Sequence, residues 1–372
     1  MTDPSTKPDS HGPDRSAADP GSPLLTMTRT TPTALWNDSA DPRELGTAIG
    51  WGAIGATCNP VIALAAIRAD LPRWSGRVRE LAADLPTAGE SEIGWRIVEE
   101  VSTEAATLLL PAFERFHGRN GRLSMQTDPR LWRDPAALAD QATHFASLAP
   151  NVIVKIPAIE TGLVAIEEAT YRGVNVNVTV SFSVPQAIAS GEAIERGLRR
   201  RESEGLDIST MGPVVTLMVG RLDDWIKDVV KRDAVDIDPA HLEWAGVAAF
   251  KRAYAEFQSR GLRARMLAAA YRNDLQWTEL IGGDVVLSPP FSWQQRFQES
   301  GHVPESRLDR PVDPKILAAL EQIEDFRRAY APDGMTPAEF IAFGATRKTL
   351  RQFLAADEEL DQFVRDILLP AP

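Results

Sequence analysis

The chain has 372 residues, with 40 Lys and Arg against 52 Asp and Glu, for a formal net charge of −12. That balance argues against nucleic acid and anionic membrane as partners, since both would be repelled over most of the surface. It still permits a small anion held by a few converging arginines. Cys58 is the one cysteine, so no internal disulfide can form. No apolar run approaches the roughly 20 residues needed to cross a bilayer, and the chain reads as cytoplasmic.

In chain order, the polar, proline-rich beginning has no apolar signal core and reads as a disordered leader, residues 1–30, ahead of a single domain over 31–372. From about Thr33, short apolar runs alternate with amphipathic helical stretches, the pattern of repeated βα units around a parallel sheet. Eight strands are predicted, at residues 33–37, 53–57, 122–126, 152–156, 175–180, 214–219, 264–270 and 284–287. Eight such units fit an α/β fold of the closed (β/α)8 TIM-barrel type, which usually spans about 250 residues. The excess lies in added helices between the second and third strands (60–119) and in a C-terminal extension from about residue 292, ending in helices at 337–354 and 358–369. These regions hold Trp74, Trp95 and Trp293 with many aliphatics, so they read as packing or as contacts of a homo-oligomer.

The fourth strand carries the main chemical clue. Lys155 stands within Asn151-Val152-Ile153-Val154-Lys155-Ile156-Pro157, an otherwise apolar run. Burying an ammonium without a partner costs several kcal/mol. Burial therefore pushes the amine pKa down from about 10.4, and a neutral amine attacks carbonyls. The other reading is a lysine that reaches solvent at the strand end or pairs with a carboxylate. In a barrel of this type the C-terminal ends of the strands form the active-site rim. The residues predicted there are Asp38, Thr57 with Asn59, Gln126, Lys155, Asn177 with Thr179, Thr216, Arg221, Arg272 with Asn273, and Ser288.

Several segments together resemble the transaldolase family and its relatives, the fructose 6-phosphate aldolases. They are Leu35-Trp36-Asn37-Asp38, the turn Gly55-Ala56-Thr57-Cys58-Asn59-Pro60, the strand Val154-Lys155-Ile156-Pro157 with Glu160-Thr161-Gly162, Asn175-Val176-Asn177-Val178-Thr179, Val219-Gly220-Arg221 and Tyr271-Arg272-Asn273. The resemblance runs from about Thr33 to Phe291. It implies that Lys155 forms a Schiff base with a sugar phosphate and that Asp38 is the general acid and base. Thr179 would assist catalysis, and Thr57, Asn59, Asn177, Thr216 and Ser288 would bind the substrate. Arg221 and Arg272 would grip its phosphate, a task suited to the guanidinium fork. The rim salt bridge is the competing reading for both arginines, more for Arg221 than for Arg272.

Two positions depart from the family pattern. Gln126 stands where transaldolases carry a third-strand Glu that exchanges protons through a water; an amide can orient that water but cannot titrate. The aldolase branch also has Gln here, but it places a Tyr where this chain has Met218. Slow turnover or a shifted substrate is the expected consequence. Trp225 and Trp277 follow the two arginine strands and read as core packing before mouth-shaping. The five histidines lack metal-ligand spacing, and no glycine cluster forms a dinucleotide fingerprint, so neither a metal nor a cofactor is expected. The leading reading is a transaldolase of carbohydrate metabolism, in the pentose phosphate pathway. The alternatives are a Schiff-base aldolase on a nonstandard sugar phosphate and a non-catalytic sugar-phosphate-binding protein.

Overall fold

A computed structural model describes residues 21–371. Eight parallel strands close into a barrel in the order β1-β2-β3-β4-β5-β6-β7-β8, as the alternation of apolar runs and amphipathic helices implies. They are β1 (Ala34–Asn37), β2 (Ala53–Thr57), β3 (Arg122–Gln126), β4 (Val152–Pro157), β5 (Val176–Thr179), β6 (Val214–Leu217), β7 (Arg265–Ala269) and β8 (Val286–Ser288). Three strands stop short of the predicted ends. β5 and β7 end where Val180 and Ala270 take positive φ (51° and 63°), and β6 ends because Met218 caps the helix Val219–Asp233.

Side chains alternate inward and outward along each strand. Outward Val152, Val154 and Ile156 join the large core shared with the helices. Inward Ala34, Trp36, Ile153, Val214, Leu267, Ala269 and Val286 form a separate cluster that fills the barrel. Gly55 is required beside Trp36, because a Cβ there would lie 2.4 Å from the indole. Buried Arg122 and Arg265 plug the end opposite the rim. Arg122 donates to Gly118 O (2.7 Å) and Thr210 O (2.8 Å), and Arg265 donates to Asn120 Oδ1 (2.8 Å). This filling makes the barrel a packed core rather than a pore.

The ends of the chain require two corrections. Most of the expected leader lies outside the described residues, but its last part is ordered. Pro23–Thr30 is a helix, capped by Ser22, that buries Leu24 and Met27 completely. Its apolar positions find a tertiary partner in Trp277, whose indole N–H donates to Met27 Sδ at 3.2 Å. At the other end, the predicted pair of helices is instead a short helix Pro337–Phe340 followed by one continuous helix, Gly344–Leu368. Buried Thr346, Leu350, Phe353, Asp357, Leu360 and Val364 keep helical spacing through its whole length. That helix packs on the inserted helices Pro60–Ala69, Leu71–Asp84 and Glu90–Arg115.

Candidate active site

Strand register sets the centre of the mouth. Gln126 is paired with Lys155 across β3 and β4, Lys155 with Asn177 across β4 and β5, and Pro157 with Thr179 further along. Lys155 is only 5% exposed and makes no hydrogen bond or ion pair among the described residues. The paired or snorkelling reading of this lysine is therefore not what the fold adopts. Burial pushes its amine pKa down, against the upward pull of Asp38. Asp38, just past β1, shifts the opposite way: burial raises its carboxyl pKa, opposed by the Lys155 charge and by a hydrogen bond from Thr57. Both groups are pushed toward their uncharged forms, which suits proton exchange near neutrality.

Neighbouring strand ends hold this pair in place. Thr57 donates to Asp38 Oδ1 at 2.5 Å. Its single proton is thereby used, so the 3.1 Å contact with Ser288 makes Ser288 the donor. Asn177 donates to Ser124 Oγ (2.8 Å) and accepts from Thr216 (2.7 Å), which locks its amide orientation. Thr179 is a buried residue, and its hydroxyl has no hydrogen-bond partner among the described residues. Asn59 lies at the edge rather than the centre: its carbonyl oxygen caps the helix Pro60–Ala69 by accepting from Ile62 N at 3.0 Å, leaving only its NH2 to face other groups. Burial pushes the Cys58 thiol up to about 12, so it stays protonated.

The two arginines reverse the expectation about rim salt bridges. Arg272, the one expected to be freer, pairs with Asp224 at 2.9 Å. Arg221 has no carboxylate partner among the described residues. It donates instead to Gln352 Oε1 (2.6 Å) and Thr349 Oγ1 (3.2 Å) on the C-terminal helix, and its Nε is buried without a partner. Burial, with Arg272 nearby, lowers its pKa. A desolvated guanidinium with an unused N–H lacks an anion. Asn273 is absorbed elsewhere, bonded to Asp223 and Glu243.

Comparison with known proteins agrees with this geometry. The profile of the family described as Transaldolase/Fructose-6-phosphate aldolase matches residues 35–362. The chain belongs to the transaldolase/fructose-6-phosphate aldolase family. It is similar to a transaldolase of Thiobacillus denitrificans, 30% identical over 302 residues that cover 74% of this chain and 81% of the relative. An Arthrobacter transaldolase is 29% identical over 326 residues, 84% of each chain. A Thermobifida fusca transaldolase is 32% identical over 220 residues, and there the match covers 58% of this chain and 59% of the relative. The protein is thus an enzyme of transaldolase or aldolase type.

Within this transaldolase-family barrel, three buried glutamines not foreseen in the sequence hold the rim. Gln186 donates to Ala158 O and Val180 O while accepting from Phe182 N. Gln276 accepts from Arg272 N and donates to Asp223, and Gln294 donates to Asn37 Oδ1 and Pro289 O. Gln186 had a legible signal, the capping pattern Ser183-Val-Pro-Gln186. Gln276 and Gln294 had none. Trp277 is fully buried and stacks on Phe297 at 4.4 Å, and Trp225 bonds Asp325, so both serve packing. The C-terminal helix, expected to serve packing or oligomer contacts, supplies the partners of Arg221.

Proposed function

We propose that the protein transfers a three-carbon dihydroxyacetone unit between sugar phosphates through an imine on Lys155, as a transaldolase of the pentose phosphate pathway. The observation that carries this reading is the buried, unpaired Lys155 amine beside a carboxyl of raised pKa, Asp38. The neutral amine attacks the ketone of the donor; loss of water then gives a protonated imine. Asp38 takes the proton from the hydroxyl on the fourth carbon. The bond between the third and fourth carbons breaks, its electrons enter the imine to form an enamine, and an aldehyde leaves. Attack of the enamine on an acceptor aldehyde reverses these steps, with Asp38 returning the proton. A positioned acid or base of this kind contributes about 10² to 10⁴ in rate.

Asn177, Thr216, Thr179 and the Asn59 amide suit the hydroxyls of the three-carbon unit. Arg221 suits the phosphate, since it supplies a cation whose N–H groups are not consumed by carboxylates; Arg272 supplies a second, partly neutralised one. No step needs a metal or cofactor. Gln126 favours a second reading, an aldolase that releases the aldehyde without transfer, because the third strand then lacks a titrating group. The buried Cys58 thiol suits a reducing, cytoplasmic setting. Borohydride trapping with ketose phosphates and dihydroxyacetone, read by mass spectrometry, tests the reading. A three-carbon adduct on Lys155, absent in Lys155→Ala, is expected. Folded protein that binds sugar phosphate without forming any adduct would overturn it.

A further inference from the structure

Beside Gln126, behind the Cys58-Asn59-Pro60 turn, lies a cavity of about 10 Å³, the room of one water. Its wall includes Trp95, Ser102, Gln126 and Asp357. Each of these buried residues carries a polar atom with no hydrogen-bond partner among the described residues: Trp95 Nε1, Ser102 Oγ, Gln126 Oε1 and Asp357 Oδ1. Four orphaned atoms, two of them donors and two acceptors when the carboxyl is ionised, fit the needs of one bound water. Asp357 comes from the C-terminal helix and is 1% exposed. Gln126 is the register partner of Lys155, so this cavity joins a carboxyl on the last helix to the strand beside the reactive amine.

The charges around Asp357 favour its holding a proton. Arg130 alone faces three carboxylates, Asp128 (2.8 Å), Asp357 (2.8 Å) and Asp361 (3.2 Å). One guanidinium cannot balance three negative charges in a partly buried cluster. Glu90 and Arg365, paired with each other, also act on Asp361; the uncharged neighbours are Trp95 on the helix Glu90–Arg115, whose indole N–H pulls the Asp357 pKa down, and Cys58, whose thiol stays protonated.

We infer that Asp357 is a positioning residue for the Lys155 site, passing a proton through a water held in this cavity and oriented by Gln126. This rests on the imine reading. The proton reaches the hydroxyl of the carbinolamine formed on Lys155; the C–O bond breaks, water leaves, and the nitrogen lone pair closes the imine. Asp357 is left as a carboxylate paired with Arg130, and hydrolysis of the imine runs the same path in reverse. The titrating group missing from the third strand is thus supplied by a helix more than two hundred residues further on. Burial first, and then Asp128 and Asp361, push the Asp357 carboxyl up to about 7, which suits this task.

The test is the pH dependence of borohydride-trapped adduct formation with dihydroxyacetone, from mildly acidic to mildly alkaline pH, in wild type, Asp357→Asn, Asp361→Asn and the double variant Gln126→Glu, Asp357→Asn. In wild type the rate should fall as pH rises through about 7, where Asp357 gives up its proton. Asp357→Asn should lose that limb and about tenfold or more in rate, and Gln126→Glu should restore a titrating limb in its background. Asp361→Asn leaves the cavity untouched and removes a like charge, so its limb should move to lower pH. That variant serves if Asp357→Asn does not fold. An unchanged profile in folded Asp357→Asn, or an unmoved limb in Asp361→Asn, would overturn the inference and leave the imine reading standing. No adduct in wild type would overturn both.

Discussion

Arg221, in the first turn after β6, donates to Gln352 on the C-terminal helix at 2.6 Å and to no carboxylate among the described residues. This rim cation is therefore held by neutral oxygens, which fix its direction without neutralising it. An anion arriving at the mouth meets a guanidinium already oriented and desolvated.

Phosphate recognition should then depend more on Arg221 than on Arg272. Arg221→Gln is expected to raise KM for a ketose phosphate about 10- to 100-fold, the worth of a lost charged hydrogen bond, and to leave dihydroxyacetone unaffected. Arg272→Gln, already paired with Asp224, should do less. Steady-state kinetics on phosphorylated and unphosphorylated donors separate the two; equal effects on both donors would refute the assignment.

Thr57 tunes Asp38. Its hydrogen bond holds the Asp38 carboxyl below where burial alone would put it. Thr57→Val removes that bond, so the Asp38 pKa should rise further. In the proposed mechanism Asp38 acts first as a base, so the acidic limb of kcat should move to higher pH while KM stays near its original value. A pH–rate profile with an unmoved acidic limb would contradict this.

Lys155 is expected to weaken the fold that holds it. Its folded pKa lies below its unfolded one, so between the two values the unfolded chain binds more protons and wild-type stability rises with pH. Lys155→Met should therefore abolish adduct formation yet raise Tm. The gain should be largest below the folded pKa and shrink as pH approaches the ordinary lysine value of about 10.4. Calorimetry across that range checks it; a lower Tm at neutral pH would show that the amine stabilises the barrel.

Gly344 starts the C-terminal helix against Trp225, where a Cβ would lie 1.9 Å from the ring. Gly344→Ala should cost about 1–3 kcal/mol by overpacking and displace the helix start. Because Thr349 and Gln352 follow one and two turns later and hold Arg221, KM for phosphorylated donors should rise together with protease sensitivity near residue 344. Loss of stability with unchanged KM would separate the helix from phosphate binding.

The strand pattern and most of the mouth could be read from the chain because both are local. Lys155 stands out since a strand places successive side chains on opposite faces, and its neighbours Val154 and Ile156 are apolar. The same period puts Asn177, Thr179 and Thr216 on the inward face, and a parallel barrel gathers all strand ends at one mouth. Other features carried no local mark. The helix Pro23–Thr30 looked like part of a polar leader because its burial depends on Trp277, about 250 residues away.

Sequence alone determined the class of fold, the placing of one amine in an apolar strand and the family, since these rest on periodicity and on motifs within a few residues. Tertiary structure decided what each polar group meets. Asp224 neutralises Arg272 but not Arg221, and a helix ending at Leu368 brings Asp357 to Gln126. Charge, desolvation and hydrogen bonding act over a few ångströms of space, and in this barrel groups that meet at the mouth lie far apart in the chain, 48 residues for Arg272 and Asp224 and 131 for Arg221 and Gln352.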